Sequence, residues 1–224
     1  MTLPQITAAI VDLDGTLVDT LGDFEQALAR AFADLGLPAV TREFIALTVG
    51  KGSEHLIRTC LAQVGAAPAN FDRAWQRYQH HYLQLNGQFA SVYPGAAEGL
   101  RWLRSQGLPL ACVTNKPTAF ALPLLEAKGL RQHFGPVFGG DAFQHKKPHP
   151  EPLLRCCEAL GSAPARTLMI GDSSNDAQAA RAAGCPVVLM RYGFNHGEPV
   201  AEAGADAVLD RIDELQALLL LRAG

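Results

Sequence analysis

Residues 6–16, Ile-Thr-Ala-Ala-Ile-Val-Asp-Leu-Asp-Gly-Thr, join an apolar run to a turn that carries two acidic residues. The run over residues 6–11 predicts a buried strand, because it is short, apolar and rich in β-branched residues. Residues 12–16 predict a polar turn, since Asp-Gly is a common turn dipeptide. Ligands bind beyond the carboxyl ends of strands in open α/β sheets, so Asp12 and Asp14 stand where a site is expected.

The apolar spacing changes after this turn and predicts helices, with no strand, over residues 17–87. A first helix begins at an Asp19 or Thr20 cap and ends near residue 35, before Gly36. A second helix begins at Thr41, and a third begins near Ser53. A fourth helix contains four aromatic residues at helical spacing, namely Phe71, Trp75, Tyr78 and Tyr82.

From residue 88 onward, strand and helix patterns alternate, which predicts parallel strands joined by helical crossovers. Pro123, inside the helix predicted over residues 117–128, predicts a late start or a kink. The predicted architecture is an α/β core built from residues 1–16 and 88–224, with residues 17–87 inserted as a helical cap. The predicted strands span residues 108–114, 136–139, 167–171, 187–190 and 207–209, and the predicted helices span 95–105, 117–128, 150–160, 174–183, 199–203 and 212–221.

Polar side chains follow several of these predicted strands and would meet at one edge of the sheet. Clustered carboxylates repel one another, and a divalent cation relieves that repulsion. A cluster that offers only oxygen ligands suits Mg²⁺, which often bridges to a substrate phosphate. A lysine and a hydroxyl would bind other phosphate oxygens, one carboxylate can act as nucleophile, and a second can transfer protons. The residues concerned are Asp12, Asp14, Thr114, Asn115, Lys116, Lys146, Lys147, Asp172 and Asp176.

The composition excludes several functional classes. The 224 residues are 48% hydrophobic and 18% charged, which is ordinary for a globular protein. A net charge of −3 and 7% aromatic residues argue against a nucleic-acid partner. The first residues lack the pattern of a signal peptide, and no apolar run approaches a membrane span. Five cysteines without a Cys-x-x-Cys pair favour a reduced cytoplasmic location.

Four segments resemble, in order and spacing, the motifs of the haloacid dehalogenase superfamily. They are Asp-Leu-Asp-Gly-Thr at residues 12–16, Thr114-Asn115, Lys147-Pro148, and Gly-Asp-Ser-Ser-Asn-Asp at residues 171–176. The resemblance spans nearly the whole chain. It implies a Rossmann-like core with a helical cap inserted after the first motif.

The resemblance also implies a role for each matching residue. Asp12 corresponds to the nucleophile and Asp14 to the general acid and base. Thr114 and Lys147 correspond to the residues that bind the substrate phosphate, and Asn115 is expected to bind the substrate beside them. The metal site implied is for Mg²⁺, held by Asp172, the Asp12 carboxylate and the Asp14 backbone carbonyl, with Asp176 in support.

Asp14 narrows the expected activity, because dehalogenases and phosphonate-cleaving members of the superfamily lack an acidic residue two positions after the nucleophile. Residues 113–117, 147–150 and 192–195 resemble the phosphoglycolate phosphatases, which implies Mg²⁺-dependent hydrolysis of 2-phosphoglycolate through an aspartyl-phosphate. Residues 49–52, Val-Gly-Lys-Gly, resemble a cap loop of that group. Lys51 replaces a frequent asparagine there, and we expect it to bind the substrate carboxylate.

Several alternatives remain open from the sequence. The same core suits a sugar-phosphate phosphatase or a phosphomutase. A non-enzymatic signalling domain with a phosphorylated aspartate is disfavoured, because it needs no lid. His145 and His149 flank the lysine pair and are expected on the surface without a metal. The expected partner is a small phosphorylated metabolite, and the protein is expected to be a monomer or a homodimer.

Overall fold

The computed structural model describes residues 4–220 and contains two sheets with helices packed around them. The strands are β1 (Ala8–Val11), β2 (Val18–Asp19), β3 (Ser91–Val92), β4 (Leu110–Val113), β5 (Val137–Phe138), β6 (Thr167–Gly171), β7 (Val187–Met190) and β8 (Ala207–Leu209). The helices are α1 (Leu21–Ala33), α2 (Arg42–Thr48), α3 (Ser53–Gln63), α4 (Phe71–Leu85), α5 (Ala96–Ser105), α6 (Thr118–Ala127), α7 (Glu151–Leu160), α8 (Ser174–Ala183) and α9 (Leu215–Leu220).

The larger sheet has six parallel strands in the order β5-β4-β1-β6-β7-β8. Its central strand β1 is buried on both faces, as expected for an apolar strand in a parallel sheet. Val11, the last residue of β1, pairs with Cys112 on one side and with Ile170 on the other. The residues just after β1, β4 and β6 therefore emerge together at one edge. The predicted α/β parallel-sheet fold is confirmed.

Helices cover both faces of this sheet because successive strand residues point to opposite sides. Ala9 and Val11 belong to a core shared with α5 and α6, whereas Ile10 belongs to a core shared with α7 and α8. The exposed areas of these side chains are zero, so both faces are closed to water. The sheet edge that carries the polar residues is thus fixed on a rigid, dry support.

Helices α1 to α4 form a third apolar core of their own. Its largest members include Tyr78 and Tyr82 on α4, whose rings stack 5.4 Å apart and are fully buried. Phe120 and Phe194, which lie outside the helical segment, also pack into this core. These contacts place the helical segment against the sheet edge. The boundaries of the segment at residues 17 and 87 stay a prediction.

The expectation of no strand within residues 17–87 was wrong. Strands β2 and β3 form an antiparallel pair in which Val18 faces Val92 and Asp19 faces Ser91. A strand of two residues is too short to show the alternation on which a sequence-based prediction depends. The chain therefore enters and leaves the helical segment at adjacent points.

A buried carboxylate also connects the two points at which the chain enters and leaves the helical segment. Asp23, in the first turn of α1, is fully buried and accepts hydrogen bonds of 2.7 Å from the backbone N–H groups of Gly87 and Phe89. Burial raises the pKa of Asp23 above its ordinary value, although the two N–H donors oppose that shift. The side chain ties the beginning of the helical segment to its end.

Of the two outcomes predicted for Pro123, the late start was wrong, since α6 runs from Thr118 to Ala127 with the proline inside it. The kink stays a prediction. Pro123 lies on the exposed side of α6, and so does Ala119, whose carbonyl would bond the missing N–H. Water can satisfy that carbonyl. Burial of the opposite face, including Phe120 and Leu124, holds the helix together.

The remaining elements agree with the predictions to within a few residues at each end. The first strand begins at Ala8 rather than at residue 6. The segment near residue 200 is a 3₁₀ turn, Val200–Glu202, and another 3₁₀ turn, Ile212–Glu214, precedes α9. Residue 221, the predicted end of the last helix, lies outside the described residues. Within residues 4–220, every helix is too short or too polar to cross a bilayer.

Candidate active site

The polar residues predicted to meet do meet, at the ends of three neighbouring strands. Asp12 follows β1, Thr114 follows β4, and Asp172 follows β6. All three side chains are buried, with 8%, 3% and 2% of each residue exposed. Polar groups buried at this density must be paired with one another or with a ligand.

Three carboxylates form the acidic centre of this edge. One carboxylate oxygen from each of Asp12, Asp172 and Asp176 lies within 4.8 Å of the other two. Asp172 is fixed by two short hydrogen bonds, from Thr16 Oγ1 at 2.7 Å and from the backbone N–H of Phe194 at 2.6 Å. The Thr16 hydroxyl is therefore part of the site, although the sequence indicated it only as the end of the first motif.

Asp176 reaches the acidic centre from the first turn of α8. Its Oδ2 accepts hydrogen bonds from the backbone N–H and the hydroxyl of Ser173, at 3.1 and 2.8 Å. This reciprocal cap holds the start of α8 and orients the carboxylate. A side chain at Gly171 would collide with Asp176, so the close approach requires glycine there.

Lys147 binds the acidic centre from the loop between β5 and α7. Its ammonium lies 2.9 Å from Asp12 Oδ1 and 2.7 Å from Asp176 Oδ1, and it donates to the Val113 carbonyl at 2.8 Å. Burial opposes the charge on Lys147, but the two carboxylates outweigh it and raise the pKa of the ammonium. Lys147 is therefore a permanent cation in contact with the predicted nucleophile.

Full ionisation of the acidic centre would place more negative charge there than Lys147 balances. Burial raises the pKa of Asp12 to about 7 against the pull of Lys147, and burial with the neighbouring Asp176 and Asp12 raises the pKa of Asp172. When ionised, the three carboxylates of the acidic centre face the ammonium of Lys147, which leaves two negative charges in excess. An oxygen-only donor set with this charge fits one Mg²⁺ ion.

Asp14 lies apart from the acidic centre and has a partner that the sequence did not assign. The ammonium of Lys116 donates to both Asp14 carboxylate oxygens, at 2.9 and 3.1 Å. Lys116 follows the predicted Thr114-Asn115 motif directly, and this adjacency was the available signal. The Asp14 side chain is not in the acidic cluster, so its predicted metal contact through the backbone carbonyl stays a prediction.

Thr114 and Asn115 both line the cavity beside Asp12, but their contacts differ. Thr114 Oγ1 accepts a hydrogen bond from the backbone N–H of Lys116 at 3.2 Å. The Asn115 amide donates to the carbonyls of Gly50 and Lys147, at 2.9 and 2.8 Å, and accepts from the Lys147 N–H at 3.0 Å. In this conformation Asn115 therefore positions two loops, and its predicted contact with substrate stays a prediction.

Lys51 does not face the cavity in this structure. Gly50 and Gly52 line the cavity, whereas the Lys51 side chain is exposed and absent from its wall. The cavity offers about 20 Å³ to the centres of water-sized molecules, which is room for about one water. Its walls are Asp12, Asp14, Phe24, Val49, Gly50, Gly52, Ser53, Leu56, Thr114, Asn115 and Lys116.

The loop that contains Lys51 is also bound from the other side of the cavity. Asn175 Nδ2 lies 3.4 Å from the Gly50 carbonyl and 3.1 Å from His196 Nε2, and His196 Nδ1 lies 3.3 Å from the Leu47 carbonyl. These contacts suit a neutral imidazole with its proton on Nδ1. The sequence predicted neither Asn175 nor His196 as a site residue, because their shared contact spans distant parts of the chain.

The two histidines predicted on the surface are exposed, but they come together with a carboxylate. His145 Nδ1 lies 2.8 Å from Glu151 Oε2, and the Glu151 N–H lies 3.2 Å from His149 Nδ1. The two rings stack with centroids 4.1 Å apart. These hydrogen bonds hold the three side chains together at the start of α7, and the expectation of no metal there stays a prediction.

The family model of the haloacid dehalogenase-like hydrolases matches residues 6–184. The chain belongs to this family. A relative of this hydrolase from Cupriavidus necator, named "Phosphoglycolate phosphatase, plasmid", is 44% identical over 214 residues, which are 95% of this chain and 93% of the relative. A phosphoglycolate phosphatase of Thiobacillus denitrificans is 42% identical over 97% of each chain.

A solved structure supports the same assignment. A predicted phosphoglycolate phosphatase of Haemophilus somnus superposes on this hydrolase with a TM-score of 0.91 at 32% identity, over 96% of this chain and 99% of that one. The resemblance inferred from the motifs is therefore confirmed. The prediction of an enzyme of the phosphatase class is confirmed as well.

Proposed function

We propose that this hydrolase removes the phosphate from 2-phosphoglycolate in an Mg²⁺-dependent reaction through a phosphorylated Asp12. The observation that carries the proposal is that two carboxylates at one cavity contact different lysines. Asp12 contacts the permanent cation Lys147, and Asp14 lies apart on Lys116. The similarity to phosphoglycolate phosphatases supports the choice of substrate.

The first half of the reaction transfers the phosphoryl group to the enzyme. An Asp12 oxygen attacks phosphorus, and the bond between phosphorus and the ester oxygen breaks. Asp14 gives its proton to that oxygen, so that glycolate leaves as an alcohol. Lys147 and the Thr114 hydroxyl offset the charge on the phosphoryl oxygens, because phosphoryl transfer depends mainly on positioning and electrostatic stabilisation.

The second half releases phosphate and restores the enzyme. The Asp14 carboxylate takes a proton from a water molecule, whose oxygen attacks phosphorus. The bond between Asp12 and phosphorus breaks, and the Asp12 carboxylate is regenerated. Asp14 keeps the proton for the next turnover, so atoms and charges balance over the cycle.

Asp12, Asp172 and Asp176 are the side chains that would hold Mg²⁺, and the Asp14 carbonyl is proposed as a further ligand. The ion would supply positive charge beside the phosphate. Thr16, Ser173 and the Phe194 N–H fix the orientation of these ligands. Such supporting hydrogen bonds preserve ligand geometry, and their loss weakens metal binding.

The helical segment over residues 17–87 is proposed to act as a lid. The cavity has room for about one water molecule, which is less than the substrate needs. Loop 49–52 must therefore move away from Asn115 for substrate to enter and return afterwards. Closure excludes bulk water from the reacting phosphate.

The proposed partner is a small phosphorylated metabolite, and a cytoplasmic location is proposed with it. All five cysteines are free and buried, which fits a reducing compartment. The protein is proposed to act as a monomer or a homodimer.

The test is phosphate release from 2-phosphoglycolate beside sugar phosphates, nucleotides and pyrophosphate, with Mg²⁺ and with EDTA. We expect a clear kcat/KM preference for 2-phosphoglycolate that EDTA abolishes. The Asp12→Asn variant should lose at least about 10³-fold in kcat. Metal-dependent turnover that favours another ester would contradict the substrate, and absence of all turnover would contradict the enzyme.

A further inference from the structure

Lys116 is the charged cavity residue to which the proposed reaction gives no task. Of the described residues that line the cavity, it is the only basic one, and 3% of it is exposed. Lysine is almost never buried to this degree without a charged partner. Lys116 therefore needs negatively charged partners within its cavity.

The surroundings of the ammonium leave capacity for a ligand. Its hydrogen bonds within the described residues go to the two Asp14 oxygens. Two aromatic rings of the helical segment flank it, with the Phe24 centroid 4.5 Å and the Tyr82 centroid 4.7 Å away. An ammonium has three N–H donors, so at least one remains for a molecule in the cavity.

The position of Asp14 defines which part of a substrate reaches Lys116. Asp14 must contact the ester oxygen in order to protonate it. In 2-phosphoglycolate a single methylene joins that oxygen to a carboxylate. Any group that contacts Asp14 from within the cavity is thereby close to this carboxylate, and Lys116 is such a group.

We propose that Lys116 binds the carboxylate of the leaving group and makes the enzyme selective for phosphate esters of 2-hydroxy acids. The inference rests on the proposed phosphatase function and deepens it. The other candidate cations are less suitable. Lys51 is exposed and outside the cavity wall, and Lys147 is occupied by Asp12, Asp176 and the Val113 carbonyl.

The apolar walls explain why this contact would discriminate strongly. Phe24, Val49 and Leu56 line the same cavity, so few waters remain to solvate a substrate carboxylate. A charge-assisted hydrogen bond is stronger in such a poorly solvated site than it is in water. An ester without the carboxylate leaves Lys116 on Asp14 and forfeits the added charge-assisted bond.

The experiment compares kcat/KM for 2-phosphoglycolate and for 2-hydroxyethyl phosphate, which replaces the carboxylate by a hydroxymethyl group. In Lys116→Met the ratio of the two values should fall about 10- to 100-fold. Lys116→Arg, which keeps the charge, should restore much of the ratio. Because Asp14 acts on both esters, a role of Lys116 limited to positioning Asp14 would lower both values and leave the ratio unchanged, which overturns the inference.

Lys51→Met is the matched control, since it removes the competing cation. A selective loss in Lys51→Met with an unchanged ratio in Lys116→Met overturns the inference in favour of Lys51. Product inhibition of the unaltered enzyme provides a test that needs no variant. Glycolate should inhibit at least about tenfold more strongly than ethane-1,2-diol, and equal inhibition overturns the inference.

Failure of the proposed function gives a different result. Equal kcat/KM values for 2-hydroxyethyl phosphate and 2-phosphoglycolate would keep the phosphatase chemistry and overturn selection by Lys116. An enzyme that hydrolyses neither ester overturns the proposed function and the inference together.

Discussion

The side-chain amide of Asn115 donates a 2.9 Å hydrogen bond to the backbone carbonyl of Gly50. The same amide group also binds the loop of Lys147 through one donor and one acceptor. A single side chain thus connects the loop over the cavity to the cation beside Asp12. Closure of the cavity and the position of Lys147 are therefore coupled.

Asn115→Ala should lower both stability and activity, because three hydrogen bonds to backbone groups are lost. We expect the free energy of unfolding to fall by about 1–3 kcal/mol and kcat/KM to fall at least about tenfold. Asn115→Asp is the matched control, since it keeps the acceptor for the Lys147 N–H and loses both donors. Urea unfolding and steady-state kinetics measure the two effects, and unchanged kinetics in both variants would contradict the coupling.

His196 should make the closed loop sensitive to acid. Burial and the nearby Lys51 lower the pKa of His196 below its ordinary value of 6.5, whereas the Leu47 carbonyl, Glu198 and Asp176 act in the opposite direction. The unfolded or open state therefore takes the proton first. The stabilisation of the closed loop by neutral His196 is present at neutral pH. It is lost as the pH falls from 6.5 through the lowered pKa of His196.

Titration of His196 by NMR checks this expectation. Lys51→Met should raise the pKa of His196 toward 6.5, because it removes a nearby positive charge. His196→Asn should remove the acid dependence of loop closure, and asparagine tolerates the positive φ of 54° at this position. A pKa of His196 at or above 6.5 in the unaltered protein would contradict the arrangement.

Asp23→Asn should destabilise the junction between the helical segment and the sheet. The asparagine amide keeps one acceptor and turns an NH₂ group toward the other backbone donor. We expect a loss of about 1–3 kcal/mol in the free energy of unfolding. Asp72→Asn, at an exposed position in the first turn of α4, is the control and should change stability by less than about 0.5 kcal/mol.

Mg²⁺ should stabilise the folded protein through the acidic centre. At an Mg²⁺ concentration about 100 times its dissociation constant, the free energy of unfolding should rise by about 2.7 kcal/mol. The gain should disappear in Asp172→Asn and persist in Asp14→Asn, since Asp14 is proposed to bind through its backbone carbonyl. Thermal unfolding with Mg²⁺ and with EDTA measures it, and a gain that survives in Asp172→Asn would place the ion elsewhere.

The parts of the site that were predictable from the sequence lie next to strands. Asp12, Thr114 and Asp172 each follow an apolar run, and parallel pairing brings such residues to one edge. Lys116 was expected at this edge but was given no role, because its partner Asp14 is 102 positions away. Nothing in the local pattern indicates which of several adjacent lysines turns inward.

The contacts of the helical segment were less predictable for a related reason. The bonds to the Gly50 carbonyl from Asn175 and from Asn115 depend on how loops from distant segments pack. Pro123 shows a similar effect, because burial of Phe120 and Leu124 outweighs a local helix-breaking preference. Periodicity reports one element at a time and contains none of this information.

The pairing of Val18 with Val92 has a consequence for replacing the segment between them with one from another protein. The chain leaves the sheet and returns to it at neighbouring positions, so the ends of the intervening segment are already held together. Closing a segment of different length across this point costs little additional entropy, because that cost grows only slowly with length. A transplanted segment from another member of the family would meet the same two anchor residues. The chemistry at the sheet edge can thus be kept while the wall that contacts the substrate is replaced.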